Sequence, residues 1–245
     1  MTKELKPLFE PKGVIVTGVS SHPGKFGFVA LHNILSCGYK GEVFAIGREE
    51  SIVLEQRVFT SLDSVPKDAA DLIVLCTPVE VNEEMVRRAS EKGVKAVFCA
   101  AGGYSETGEK GLQAEKRLVS LTEELDLVLA GPNGQGVVSP HVGLCAQIVA
   151  PYAPKGRIGV VSQSGNFVSS FLNYANQTGI GISRSVSAGN AAATEIIDFI
   201  EWFAIDPKTD VALCYLEGLD DGRDFFERIK AVSYTHLTLP TICSV

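Results

Sequence analysis

Short apolar runs alternate with segments whose apolar residues recur at helical spacing along most of the chain. GVIVTG (13–18), EVFAIG (42–47), DLIVLCTP (71–78), KAVFCAAGG (95–103) and LVLAGPNG (127–134) read as strands. Such runs are nearly continuous in apolar residues, the pattern of strands covered on both faces. Phe28, Leu31, Ile34 and Leu35 mark a helix over 28–37, and 79–92 reads as a charged amphipathic helix. Residues 109–125 carry Leu112, Leu118, Leu121 and Leu125 among Glu and Lys. Strand and helix in turn predict right-handed βαβ units and a parallel sheet.

The pattern breaks over 135–156, QGVVSPHVGLCAQIVAPYAPKG, where prolines interrupt any period; this stretch reads as a domain junction. It restarts with strand RIGVVS (157–162) and a helix carrying Phe167, Val168, Phe171, Leu172 and Tyr174 on one side. Strand ISRSVSAG (182–189), helix TEIIDFIEWFAI (194–205), strand DVALCYLEG (210–218) and helix DGRDFFERIKAV (221–232) follow. With only three strands, this second unit reads as half a domain. The expected division is one domain over 1–150, a partial one over 151–232, and a tail over 233–245. The tail, SYTHLTLPTICSV, drops the pattern and resembles translated sequencing-adapter sequence joined to an interrupted reading frame. We therefore expect it to be non-native; a short natural extension is the alternative, and resequencing through codon 232 decides between them.

Composition fits this picture: 45% hydrophobic and 21% charged residues suffice for a large core or two modest ones. A net charge of −7 gives no basic field to recruit nucleic acid or a membrane surface. An anionic ligand therefore needs local help from a helix N-terminus or a few placed cations. No apolar stretch has the length of a membrane helix, and the N-terminus has no signal-peptide core. The six cysteines are scattered without a CxxC pair, and several lie in apolar strands; they read as reduced core thiols of a cytoplasmic protein.

The turn after the first strand, Gly18-Val-Ser-Ser-His-Pro-Gly24-Lys25-Phe26-Gly27, is tested against three nucleotide motifs. The Walker loop fails, because five residues rather than four precede Gly-Lys and Phe follows where Ser or Thr is needed. The dinucleotide fingerprint G-x-G-x-x-G fails in its first interval, although Gly24-Lys-Phe-Gly27 reproduces its second half. Its glycines still let backbone approach a phosphate at a helix start. The second strand ends Gly47-Arg48, with a cation where NAD-binding folds place an acid. That suits a ribose phosphate, which NADP and coenzyme A both carry. In VVSQSGNF (160–167) the hydrolase elbow G-x-S-x-G is absent, because Ser162 stands two before Ser164. The other reading of the turn is an anion cradle at a helix start, in which the N–H groups of Ser164, Gly165 and Asn166 would face the anion with hydroxyls beside them.

Taken in order, VTGVSSHPGKFGFVALHNILSCGYKGEVFAI, CTP, AAGGYSETG, AGPNGQG, VVSQSGNF and LEGLDDGRD resemble the NDP-forming acyl-CoA synthetases over residues 8–232. These are relatives of the succinyl-CoA synthetase α subunit. The resemblance implies an α/β protein in which a Rossmann-like CoA-binding domain precedes an incomplete flavodoxin-like, succinyl-CoA ligase-like domain. It implies conversion of an acid, CoA and ATP to acyl-CoA, ADP and phosphate through an acyl phosphate and a phosphohistidine. Coenzyme A falls to Pro23, Gly24, Lys25, Phe26 and Arg48, then to Cys76, Thr77, Pro78, Ala100, Ala101 and Gly102. Asn133 matches a residue near the thiol and acyl end. Ser162, Gln163, Ser164, Gly165 and Asn166 would hold the phosphate of the phosphohistidine, and Glu217 would orient its ring.

The phosphohistidine is the departure from the family. It is expected in a Gly-His-x-Gly-type loop some tens of residues beyond Glu217, and none of His22, His32, His141 or His236 fits. ATP or ADP and Mg are expected through a nucleotide-grasp domain or partner subunit, in a full-length form that is an oligomer. This chain alone is expected to be inactive as a ligase. The alternatives are a stand-alone or regulatory CoA-binding module, as fused to protein acyltransferases, and an NADP-dependent oxidoreductase.

Overall fold

A computed structural model describes residues 2–149, 152–219 and 221–232. The expected tail, with His236, lies outside the described residues. The first unit opens with a short helix α1 (Lys6–Phe9), then β1 (Gly13–Val19), α2 (Phe26–Ser36) and β2 (Glu42–Gly47). A hairpin of β3 (Ser51–Val53) and β4 (Gln56–Phe59) follows, then β5 (Leu72–Leu75), α3 (Val79–Glu91), β6 (Ala96–Cys99), α4 (Glu109–Glu124) and β7 (Val128–Ala130). Among the described residues they form a seven-stranded sheet in the order β3-β4-β2-β1-β5-β6-β7, parallel except for the β3–β4 pair. The inner strands are apolar on both faces because helices cover both: Val14, Ile15, Val16, Leu72, Ile73, Ala96 and Val97 are fully buried.

The stretch expected to be a junction is itself part of a sheet. β8 (Gly136–Ser139) and β9 (Leu144–Gln147) form an antiparallel hairpin, and β8 pairs antiparallel with β11 (Ile182–Ser187). β11 lies parallel to β10 (Lys155–Ser162), which lies parallel to β12 (Val211–Tyr215). The second sheet therefore runs β12-β10-β11-β8-β9 and draws on residues from both sides of position 150. Prolines hid the hairpin: Pro140 begins its connecting turn, and Pro151 and Pro154 follow its second strand. Helices α5 (Gly165–Thr178), α6 (Ile196–Ile205) and α7 (Gly222–Val232) complete the unit.

One of the buried clusters runs through both units. Val14 and Phe98 of the first sheet belong to the same buried cluster as Val161 and Val186 of the second. The N-terminal segment crosses to the second unit, where Phe9 stacks on Trp202 at 5.0 Å and meets Phe199 edge-on at 6.4 Å. Beside them Arg184, 1% exposed, pairs with Asp206 at 3.2 Å and with Glu10, and also donates to Ser139. Lys208 adds a second cation to Glu10 at 2.6 Å.

Candidate functional site

In the first sheet the chain leaves β1 toward β2 on one side and later returns to β5 on the other. Ligands of open α/β sheets bind outside the carboxyl ends of the strands at such a switch point. Here that place is a cavity of about 850 Å³. Of the residues expected there, Gly24, Lys25, Phe26, Arg48, Cys76, Thr77, Pro78 and Ala101 line it. Pro23, Ala100, Gly102 and Asn133 do not; Ala100 is buried as its N–H bonds back to Leu75. Ser20, Ser21, Glu49, Val81 and Met85 line it without having been singled out from the sequence. Val81 and Met85 stand four apart on α3, a spacing that places both on one helical face.

The glycines of the first loop have separate jobs. Gly18, at φ 69°, leaves only 2.5 Å between an added Cβ and the Cys76 carbonyl. A Cβ on Gly27 would run into the Gly18 carbonyl itself, so this pair lets α2 pack directly on the end of β1. Gly24 meets only the His22 ring, whose Nδ1 accepts the Gly24 N–H at 3.1 Å. Lys25, the N-cap of α2, makes no side-chain cap. The start of α2 thus carries no side-chain cap, and its first residue, Phe26, lines the cavity together with the cations Lys25 and Arg48.

Behind the cavity wall runs a buried polar chain. Thr17 Oγ1 meets Thr77 Oγ1 at 3.1 Å, Thr77 donates to Asn82 at 2.7 Å, and Asn82 donates to the Tyr104 hydroxyl at 2.8 Å. Burial pushes the Cys99 thiol up to about 12, and raises Cys76 well above the ordinary thiol range. Both thiols are protonated at neutral pH, which fits packing and not nucleophilic chemistry.

In the second sheet the central strand β10 ends at Ser162, and α5 begins at Gly165. The groups expected to converge on an anion here are mostly used among themselves. Ser162 is fully buried; its hydroxyl donates to Ser164 O and accepts the Ser164 N–H, each at 2.9 Å. Ser164 caps the helix by accepting the Phe167 N–H at 3.4 Å. The Ser164 N–H is therefore not a free donor, contrary to the sequence expectation, because Ser162 stands two residues before it. Among the described residues the N–H groups of Gly165 and Asn166 have no partner. Gln135 covers Gly165 so closely that an added Cβ would lie 2.5 Å from its Cδ.

Gln163 brings Glu217 to the helix start. Its Oε1 accepts the N–H groups of Glu217 at 2.6 Å and Gly218 at 3.1 Å, while its Nε2 donates to Gly218 O at 3.1 Å. Glu217 itself is exposed. The described histidines are engaged elsewhere: His22 with Gly24, His32 stacked on Phe28, and His141 with the Gly156 carbonyl. Among the described residues no cluster of three or more His, Cys, Asp or Glu groups is arranged to hold a metal ion. Nor is any helix long and apolar enough to cross a membrane.

The CoA binding domain family matches residues 12–140, and the succinyl-CoA ligase like flavodoxin domain matches 155–237. The chain is 33% identical to the acetate–CoA ligase [ADP-forming] I subunit alpha of Pyrococcus furiosus, over 94% of this chain and 50% of that one. It is 32% identical to acetate–CoA ligase [ADP-forming] I of Archaeoglobus fulgidus, over 94% of this chain and 33% of the relative. It belongs to the family of the ADP-forming acyl-CoA synthetases. A solved acetyl-coenzyme A synthetase of Ca. Korarchaeum cryptofilum, in complex with phosphate and ADP, superposes with a TM-score of 0.87 at 29% identity. That match covers 94% of this chain and 49% of the solved one. The chain thus spans between a third and a half of the length of these family members. In family terms, the cavity at the end of β1 lies in the CoA-binding domain, and the α5 start lies in the ligase-like domain.

Proposed function

We propose that this chain is the CoA-binding part of an ADP-forming acyl-CoA synthetase, and that it binds CoA without completing the ligase reaction by itself. The observation that carries the reading is the cavity in which an uncapped helix start, Lys25 and Arg48 meet at the switch point of the first sheet. A cofactor with a diphosphate and a ribose phosphate suits a site with backbone donors at one wall and two cations at its rim. Gly24, Lys25, Phe26 and Arg48 would hold the nucleotide end. Thr77, Pro78 and Ala101 would follow the arm toward Asn133. CoA would supply the thiol that becomes the thioester.

The second half of the reading concerns phosphoryl transfer. Gly165 and Asn166 offer two helix-start donors, and Gln163 holds Glu217 beside them. A carboxylate on one imidazole nitrogen fixes the tautomer and supports the charged ring, while the helix start receives phosphate on the other. The histidine would come from a segment beyond residue 232, and ATP, ADP and Mg from a nucleotide-grasp domain or partner subunit in a cytoplasmic oligomer. The two domain matches, 12–140 and 155–237, fall on either side of position 150, while the β8–β9 hairpin before that position pairs into the second sheet.

Titration calorimetry tests the reading: CoA binds measurably, NADP does not, and the chain alone makes no acyl-CoA from acid, CoA and ATP. Binding of NADP without CoA would overturn it in favour of an oxidoreductase. A stand-alone regulatory CoA module shares the cavity, which is lined wholly by residues 18–101. A gene continuing into an acyltransferase domain rather than a Gly-His-x-Gly loop would select that alternative.

A further inference from the structure

Asn190 stands where three strand-end loops meet. It lies in the loop after β11, and its Nδ2 donates to Ser105 Oγ at 3.0 Å, Glu106 Oε2 at 2.9 Å and Glu115 Oε2 at 2.7 Å. All three acceptors belong to the other unit, in the loop after β6 or on α4. With Nδ2 committed to carboxylates, Oδ1 is left to accept from Asn133 Nδ2, at 3.4 Å. The backbone repeats the link: the Asn190 N–H donates to Pro132 O at 2.9 Å, and Ala192 N–H to Gly131 O at 3.1 Å.

Each contact passes something on. Glu106 Oε1 accepts the N–H groups of Gly103 and Tyr104, so fixing Glu106 fixes the backbone just past Ala101, which lines the cavity. Burial raises the Glu106 carboxyl, but the hydrogen bonds from Asn190 and from this backbone outweigh it and hold the group below its ordinary value. Asn133, at φ 61°, turns its Oδ1 toward Gly102, where an added Cβ would stand 3.3 Å away. A side-chain amide suits this junction because it offers donors to the carboxylates and an acceptor to Asn133 together.

We infer that Asn190 is a positioning residue for the thiol end of the CoA site, setting the Asn133 amide and the path of residues 101–106 from the neighbouring unit. The inference rests on the CoA reading above. It leaves the nucleotide end, at Gly24 and Arg48, untouched.

Two ligands separate the ends: CoA, and adenosine 3′,5′-bisphosphate, which lacks the pantetheine arm. In calorimetry on the chain as it stands, Asn190→Ala should weaken CoA about five- to tenfold, the cost of one or two lost hydrogen bonds. Binding of the bisphosphate should not change. Asn133→Ala, which leaves the carboxylate contacts of Asn190 in place, should show the same discrimination, and the double variant should lose little more. Equal weakening of both ligands, or of neither, would overturn the inference while leaving the CoA reading intact. Failure of the unsubstituted chain to bind either ligand would overturn the CoA reading and this inference with it.

Discussion

Gln163 holds Glu217 by its backbone: the glutamine Oε1 accepts the Glu217 N–H at 2.6 Å, so the loop after β12 is pinned to the start of α5. Gln163→Ala removes three hydrogen bonds at an exposed loop, each contributing about 1 kcal/mol at most. Hydrogen exchange should show the Glu217 and Gly218 amides losing protection about tenfold, with the melting temperature little changed. Unaltered exchange at these two amides would show that the loop holds without the clip.

Arg48 is exposed at the end of β2 and lines the cavity with Lys25. If it meets the ribose phosphate of CoA, Arg48→Ala should weaken CoA about tenfold, or about 1.4 kcal/mol. Dephospho-CoA, lacking that phosphate, should bind the variant and the unsubstituted chain alike. A calorimetric cycle over two proteins and two ligands isolates the contact.

Gly27→Ala drives a methyl group into the Gly18 carbonyl and the Val19 N–H. The overpacked junction of α2 and β1 should cost about 1–3 kcal/mol in chemical denaturation. CoA affinity should fall as well, because the same shift moves the start of α2. Gly24→Ala meets only the His22 ring and should cost far less stability.

Acid should loosen the chain at two carboxylates. Burial raises Glu10, but hydrogen bonds from Lys208 and Arg184 outweigh it and hold its pKa below the ordinary 4.5. Asp198 is likewise raised by burial yet held below 3.8 by Arg228 and Lys3. A depressed folded-state value gives stability that is present above the ordinary value and lost as pH falls through the folded one. Melting temperatures should therefore drop as pH falls below 4.5, and Glu10→Gln should flatten part of that drop. Arg184→Ala, which strands the buried Asp206, should cost about 3–5 kcal/mol at neutral pH.

The helices and parallel strands were legible because their periods differ and each element buries one or both faces. The strand ends were not. The runs at 71–78, 95–103, 127–134, 182–189 and 210–218 each overran the observed strand, by Cys76 to Pro78, for example, and by Ala100 to Gly103. Small and apolar residues continue the strand pattern there while the backbone has already turned, with positive φ at Gly103, Gly131 and Gly189. Those overruns hold Cys76, Thr77, Pro78 and Ala101 of the cavity lining, together with Asn133 and Glu217. The β3–β4 hairpin escaped notice because its two-residue turn is made by Leu54 and Glu55 at φ 50° and 64°, without the Asn-Gly signal that marks such turns. Asn190 carries no local signature; its importance comes from loops 57 and 85 residues away in sequence.

The crossing of Phe9 to Trp202 has a practical consequence for anyone dissecting this chain. A protease site or a stop codon near position 150 would not release two self-sufficient pieces. The leading piece would carry off the β8–β9 hairpin and the Phe9 ring, and the trailing piece would be left with an unpaired edge on β11 and a bare Trp202. The polypeptide is laced rather than strung, so the ligase-like half is expected to need both the N-terminal segment through Glu10 and the β8–β9 hairpin supplied with it.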